Sequence, residues 1–140
     1  MLDWLPIDYY PAGLVNIDIG CCPLDDNRFN HAKTFIKAME YAASGAAVVA
    51  SPTVYDKLID HRENGYICET VDEWEQALSE LIEDYTWRKQ LSKALLAKVR
   101  KYHNLENNAW RWIDAWSEIV GDFRHRQRNR ILLPSEVCYV

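Results

Sequence analysis

The sequence predicts an α/β fold: a partial doubly wound parallel sheet of about three to four strands, helices on both faces, and a helical carboxyl-terminal part. Three observations predict it. Short apolar runs at residues 15–24, 46–50 and 66–68 alternate with stretches of helical spacing. Proline or polar residues punctuate the first two runs, as at the ends of buried parallel strands. After residue 69 the strand pattern stops and three amphipathic segments follow.

In chain order, residues 1–5 are an apolar piece closed by Pro6, read as the tail of a strand. Residues 8–16 carry weak helix character, because Pro11 and Gly13 both work against a helix interior, and a single turn is expected. Residues 15–24 read as a strand buried on both faces, followed by the polar loop at 25–30. The central stretch at 27–52, NRFNHAKTFIKAMEYAASGAAVVASP, reads as loop, helix, tight stop and buried strand. Phe35, Met39 and Ala42 take the spacing of one buried helix face, and Gly45 sits where a helix ends in a left-handed residue. Residues 53–61 read as a short helix with Val54, Leu58 and Ile59 inward, and Glu63-Asn64-Gly65 as a turn. Thr70 to Glu73 has the form of a capping box opening a helix through Glu83. Asp84 and Asn104 are expected to cap the next two helices. The face of the last is Ala109, Trp112, Ile113, Trp116, Ile119 and Val120. Gly121 is read as a break, so residues 1–121 are expected to form the domain and 122–140 a loosely attached tail.

Composition narrows the function classes. The chain has 140 residues, enough for one domain with a single core. A net charge of -5 argues against general nucleic-acid affinity. No long apolar span and no signal-peptide pattern are seen, and a cytoplasmic location is expected. The cysteines, Cys21, Cys22, Cys68 and Cys138, lack Cys-x-x-Cys spacing and read as reduced thiols, the adjacent pair as small buried apolar residues. Asp25, Asp26 and His31 could be assembled into a metal site, but adjacent loop aspartates read better as turn residues, and no metal is assigned.

Lys33, Lys37, Glu40 and Tyr41 share a face away from the buried one, with Lys33 and Glu40 seven residues apart. On one helix that separation is roughly 10 Å. A cation at the helix start and a carboxylate two turns on suit a ligand with an anionic and a hydroxylated end, such as a nucleoside diphosphate sugar. Against this, Glu40 could be an exposed glutamate paired with Lys37, Lys33 a solvated lysine, and Asn30 a loop or cap residue.

The run DIGCCPLDDNRFNHAKTFIKAMEYAASGAAVVAS, then Asn64-Gly65 before a strand and DEWEQALSELIED, resembles the carboxyl-terminal, donor-binding domain of GT-B fold retaining glycosyltransferases. The resemblance covers residues 4–120 and is most specific over 30–51. It implies a Rossmann-like domain, truncated at its amino end, that binds a nucleotide-diphosphate sugar as substrate, with no cofactor. Glu40, in Met-Glu-Tyr-Ala-Ala-Ser-Gly, matches the family's ribose-binding glutamate. Lys33-Thr34 matches a pair at the phosphate end in some members, with the Thr34 and Phe35 amides facing the phosphates, and Asn30 is read as either a donor-binding or a loop-positioning residue. The position eight residues before Glu40, where many members carry a second glutamate, is Ala32. No catalytic residue is assigned, and activity is expected to need the family's amino-terminal domain or a partner chain. The open edge of the first strand would be covered by that partner or by a second copy. The Trp-rich last helices are read as core or as a surface for the absent domain, and the arginines at 124–130 as a solvated tail or a peripheral contact with acidic lipid. A non-catalytic binding or assembly module derived from such an enzyme is the alternative. Another Rossmann-like nucleotide binder is disfavoured because no Gly-x-Gly-x-x-Gly follows a strand.

Overall fold

A computed structural model of the chain describes the backbone of residues 6–131 and the side chains of residues 6–121, so expectations for 1–5 and 132–140 lie outside the described residues. A 3-10 turn at Ile7–Tyr9 leads into the short helix α1 (Tyr10–Leu14). Strand β1 (Ile19–Cys22), a helical turn α2 (Arg28–His31) and helix α3 (Ile36–Ser44) follow. Then come β2 (Ala47–Ala50), α4 (Pro52–Tyr55) and β3 (Tyr66–Ile67). Helices α5 (Val71–Glu83), α6 (Tyr85–Tyr102) and α7 (Leu105–Ile131) follow. It separates into two compact units, Met1–Lys101 and Tyr102–Val140.

In the first unit the strands form a parallel sheet in the order β1-β2-β3. The expected α/β architecture is present. Strand β2 is central and fully buried, and its alternation feeds two cores. Val48 and Ala50 point to one face, with Cys22, Ala38, Ala42, Val54, Leu58 and Leu95. Ala47 and Val49 point to the other, with Tyr66, Cys68, Ala77, Leu81 and Leu91. Small residues on β2 and α3 let backbone layers approach closely. Gly20 is the extreme case: a Cβ there would stand 2.3 Å from Cγ of Tyr41 on α3.

Helix α3 ends as its sequence dictates. Gly45 adopts φ 85°, the Gly45 amide donates to the Ala42 carbonyl and the Ala46 amide to that of Tyr41. This is the Schellman pattern, which satisfies carbonyls the helix would otherwise orphan. The caps read from sequence also hold. Thr70 and Glu73 form the reciprocal capping box, Asp84 Oδ1 accepts from the Trp87 amide, and Asn104 Oδ1 accepts from the Asn107 amide.

Four expectations are corrected. First, β1 is four residues long because its register with β2 spans only Ile19↔Ala47 to Cys22↔Ala50. It is not buried on both faces, since Cys22 is buried and Cys21 exposed. Second, the helix expected over 53–61 is the four-residue α4 followed by turns, although Val54, Leu58 and Ile59 are buried as read. Third, Lys33 is not on α3: Asn27 caps an earlier turn, the chain breaks at 32–35, and α3 begins only at Ile36. The two-turn spacing of Lys33 and Glu40 along one helix therefore does not apply. Fourth, α7 passes through Gly121 to Ile131. A single exposed glycine costs a helix only about 1 kcal/mol relative to alanine, too little to stop it.

Two carboxylates give the fold an acid-sensitive margin. The amides of Glu69 and Thr70 donate to Glu73 Oε2 at 2.6 and 3.1 Å and hold its carboxyl below the usual range. The Arg62 guanidinium makes a two-pronged contact with Glu80 at 2.9 and 2.7 Å and holds that one down too. A carboxyl whose pKa is lowered by folding adds stability above its unfolded pKa and loses it as pH falls through the folded value. The thermal midpoint is expected to drop as pH descends through and below the ordinary carboxylate range, with a shallower drop in Glu73→Gln/Glu80→Gln. An unchanged acid limb in the double variant would contradict this.

Candidate functional site

The three strands are parallel, so their carboxyl ends open on one edge of the sheet, where an α/β fold leaves a crevice between loops. A cleft of about 790 Å³ lies there. One side comes from the loop after β1, with Pro23, Leu24, Asp25 and Asp26, and from α2, with Asn30 and His31. Ser51 and Thr53 follow β2, and Cys68, Glu69 and Trp74 follow β3.

The wall nearest β1 and β2 is braced by hydroxyls. Ser51 Oγ accepts from the Leu24 amide at 2.6 Å and donates to the Cys22 carbonyl at 3.4 Å, and Thr53 Oγ1 donates to the Leu24 carbonyl at 3.3 Å. Asn30 is buried, its amide accepted by Asn27 Oδ1 and its side-chain nitrogen donating to the Asp25 carbonyl, both at 2.9 Å. The wall nearest β3 is braced separately. Trp74 Nε1 donates to the Cys68 carbonyl at 3.2 Å, and the Cys68 thiol contacts the Glu73 carbonyl at 3.5 Å.

Asp25, Asp26, Asp56 and Glu69 line the cleft, against Lys33 as its one lysine. Carboxylates accept hydrogen bonds from hydroxylated ligands; the cation suits an anionic group. His31 Nε2 and Asp26 Oδ1 are 2.6 Å apart on an exposed surface, where such a pair adds little stability. Among the described residues no group of three or more His, Cys, Asp or Glu is arranged to hold a metal. Burial pushes the Cys22 and Cys68 thiols up to about 11, so neither is a thiolate nucleophile near neutral pH.

The residues read as donor-binding are placed unequally. Asn30 and Lys33 line the cleft; Lys33 is exposed, its Nζ 5.0 Å over the Phe29 ring. Thr34 is exposed in the break before α3. Phe35 packs against the core beside α3 and takes that helix's N-cap position, where a phenyl ring has no acceptor to offer the first turn. Glu40 is half-buried and outside the cleft lining. Its partner is Tyr10 of α1 rather than Lys37: the Tyr10 hydroxyl donates to Glu40 Oε2 at 3.0 Å, and this bond raises the tyrosine's pKa. Sequence reasoning missed Ser51, Thr53, Glu69 and Trp74, although Ser51-Pro52-Thr53 directly after a buried strand was a usable signal.

Comparisons with known proteins agree with this architecture. The family model described as glycosyl transferases group 1 matches residues 4–84. Among solved structures, a crystal structure of the C-terminal domain of a glycosyl transferase group 1 family protein (LpcC) from Francisella tularensis matches with a TM-score of 0.61 and 24% identity, over 75% of this chain. The chain spans about half, 53%, of that structure's length. No curated protein matches the sequence. With its family pattern running from residue 4 through the sheet, the cleft and α5, the chain belongs to the group 1 glycosyl transferases.

Proposed function

We propose that the chain is the donor-binding part of a glycosyltransferase that moves a sugar from a nucleotide-diphosphate sugar to an acceptor. The observation that carries this reading is the cleft at the carboxyl ends of three parallel strands, with Lys33 at its side and four carboxylates in its lining. In this reading Lys33 and the amides of Thr34 and Phe35, just ahead of α3, face the diphosphate. Negative charge growing on the departing diphosphate is offset there by a fixed cation and a helix amino end. Glu40 accepts the ribose hydroxyls, exchanging the Tyr10 hydroxyl for those of the ligand. The cleft carboxylates receive hydroxyls of the sugar. Leaving-group stabilisation is the catalytic contribution assigned to these residues, and no general base or nucleophile is named.

The acceptor site and the second wall of the full active site would come from an amino-terminal domain or a partner chain, placed against the open edge of β1. The exposed Cys21 thiol on that strand suits a reducing, cytoplasmic setting. The competing reading, a binding or assembly module without catalysis, draws on Ala32 standing where many members of the family carry a glutamate.

Calorimetric titration of the chain with UDP, GDP and ADP separates the two. Saturable binding of one nucleotide is expected, at a dissociation constant of roughly 10–100 μM for a site lacking the rest of its enclosure. Failure of a folded sample to bind any of the three would favour the assembly reading.

A further inference from the structure

The cleft is unevenly charged, and the unevenness follows the strand order. Lys33 belongs to the β1 side, its Nζ 5.0 Å over the Phe29 ring. Asp25 and Asp26 stand on that side too, Asp26 bonded to His31 at 2.6 Å. Across the cleft, Asp56 follows β2 and Glu69 follows β3. Both are exposed, and among the described residues neither carboxylate has an ion-pair or hydrogen-bond partner. No lysine or arginine lines this half of the cleft among the described residues. Trp74 lines it as well, half-buried, with Nε1 engaged by the Cys68 carbonyl at 3.2 Å. With its one polar atom occupied, the indole has only apolar carbon to offer the cleft.

We propose that this half of the cleft seats the transferred sugar and selects one without an acidic group, a neutral or amine-bearing pyranose and not a uronic acid. The inference rests on the donor-site reading, which puts the diphosphate at Lys33. From β1 to β3 is two strand spacings, roughly 10 Å. A phosphate held at Lys33 and the pyranose it carries cover a similar length. The ring then lies between Trp74, which meets its apolar C–H face, and Asp56 and Glu69, which accept from its hydroxyls. An acidic sugar would set its own carboxylate beside two that nothing on this side neutralises. Ionised at neutral pH, it would also have no hydrogen to donate to them. Selection is therefore built on repulsion of the acidic sugar as well as on bonds to the neutral one.

Calorimetric titration of the full chain with matched nucleotide sugars tests this, using the base that binds. The pairs are UDP-glucose with UDP-glucuronate, GDP-mannose with GDP-mannuronate, and ADP-glucose with ADP-glucuronate. The acidic member is expected to bind roughly tenfold or more weakly than its neutral partner. Asp56→Lys/Glu69→Lys, both at exposed positions, should shrink that ratio to roughly threefold or less, or invert it, with far-UV circular dichroism unchanged. Trp74→Leu, which keeps apolar bulk, should weaken the neutral nucleotide sugar roughly fivefold more than the bare nucleoside diphosphate. Equal affinity for the two members of a pair would overturn the proposal. So would a ratio untouched by the charge reversal, or equal losses for sugar nucleotide and bare nucleotide in Trp74→Leu. Each of these outcomes leaves binding of the bare nucleotide, and with it the donor-site reading, in place. A folded chain that binds no nucleotide at all takes down both.

Discussion

Glu40→Ala is expected to weaken nucleotide binding by about 2–3 kcal/mol, roughly thirty- to a hundred-and-fifty-fold. That is the usual worth of hydrogen bonds between a carboxylate and a pair of hydroxyls. The fold should barely notice, because the side chain is only half-buried and its partner, the Tyr10 hydroxyl, regains water when released. The control is Tyr10→Phe, which removes the hydroxyl that competes for the carboxylate. It is expected to leave affinity unchanged or raise it a few-fold, by less than one charged hydrogen bond. Calorimetry on both variants, beside thermal melts, gives the answer. Equal binding by wild type and Glu40→Ala would remove Glu40 from the site while leaving the cleft reading intact.

Gly20→Val should destabilise the first unit by about 2–4 kcal/mol, the upper range for overpacking a core. The position is filled by a neighbour: a Cβ at Gly20 would meet Cγ, Cδ2 and Cβ of Tyr41 at 2.3, 2.4 and 2.9 Å. Those atoms lie near the α3 backbone, so swinging the far end of a flexible side chain cannot relieve the contact. Either the tyrosine leaves its rotamer or α3 lifts off β1. Tyr41→Ala loses packing of its own, but the double variant should cost less than the sum of the two. Urea denaturation of the four proteins in the cycle reads that coupling. Additive losses would mean that the strand responds to something other than the ring above it.

The parts of this fold that were legible in the sequence are those set by neighbours in the chain. Gly45 announces its left-handed stop, Thr70 with Glu73 closes its own capping box, and Asp84 and Asn104 each cap a helix by accepting from the amide three residues on. The four small and β-branched residues of β2 read directly as a strand covered on both faces. What was not legible depends on distant partners. The length of β1 is decided by how far β2 extends beside it. The break at 32–35 arises because Asn27 begins a helical turn early, before Phe35 and α3 settle onto the core. The placement of the candidate site residues depends on distant partners in the same way. Asn30 reaches the cleft from α2 and Lys33 from the break after it, whereas Glu40 is engaged by Tyr10, thirty residues earlier in the chain.

The bracing of the cleft has a mechanical consequence. Its two walls report to different parts of the molecule. The Leu24 wall is clamped to the β2 terminus through Ser51 and Thr53, so these two loops move as one jaw. The Glu69 wall is fastened to the first turn of α5, where the Glu73 carboxylate holds the Glu69 and Thr70 amides and Trp74 holds the Cys68 carbonyl. One wall of the cleft is thus built on a helix cap. The bonds that seal the start of α5 are also the tendons that hold that wall.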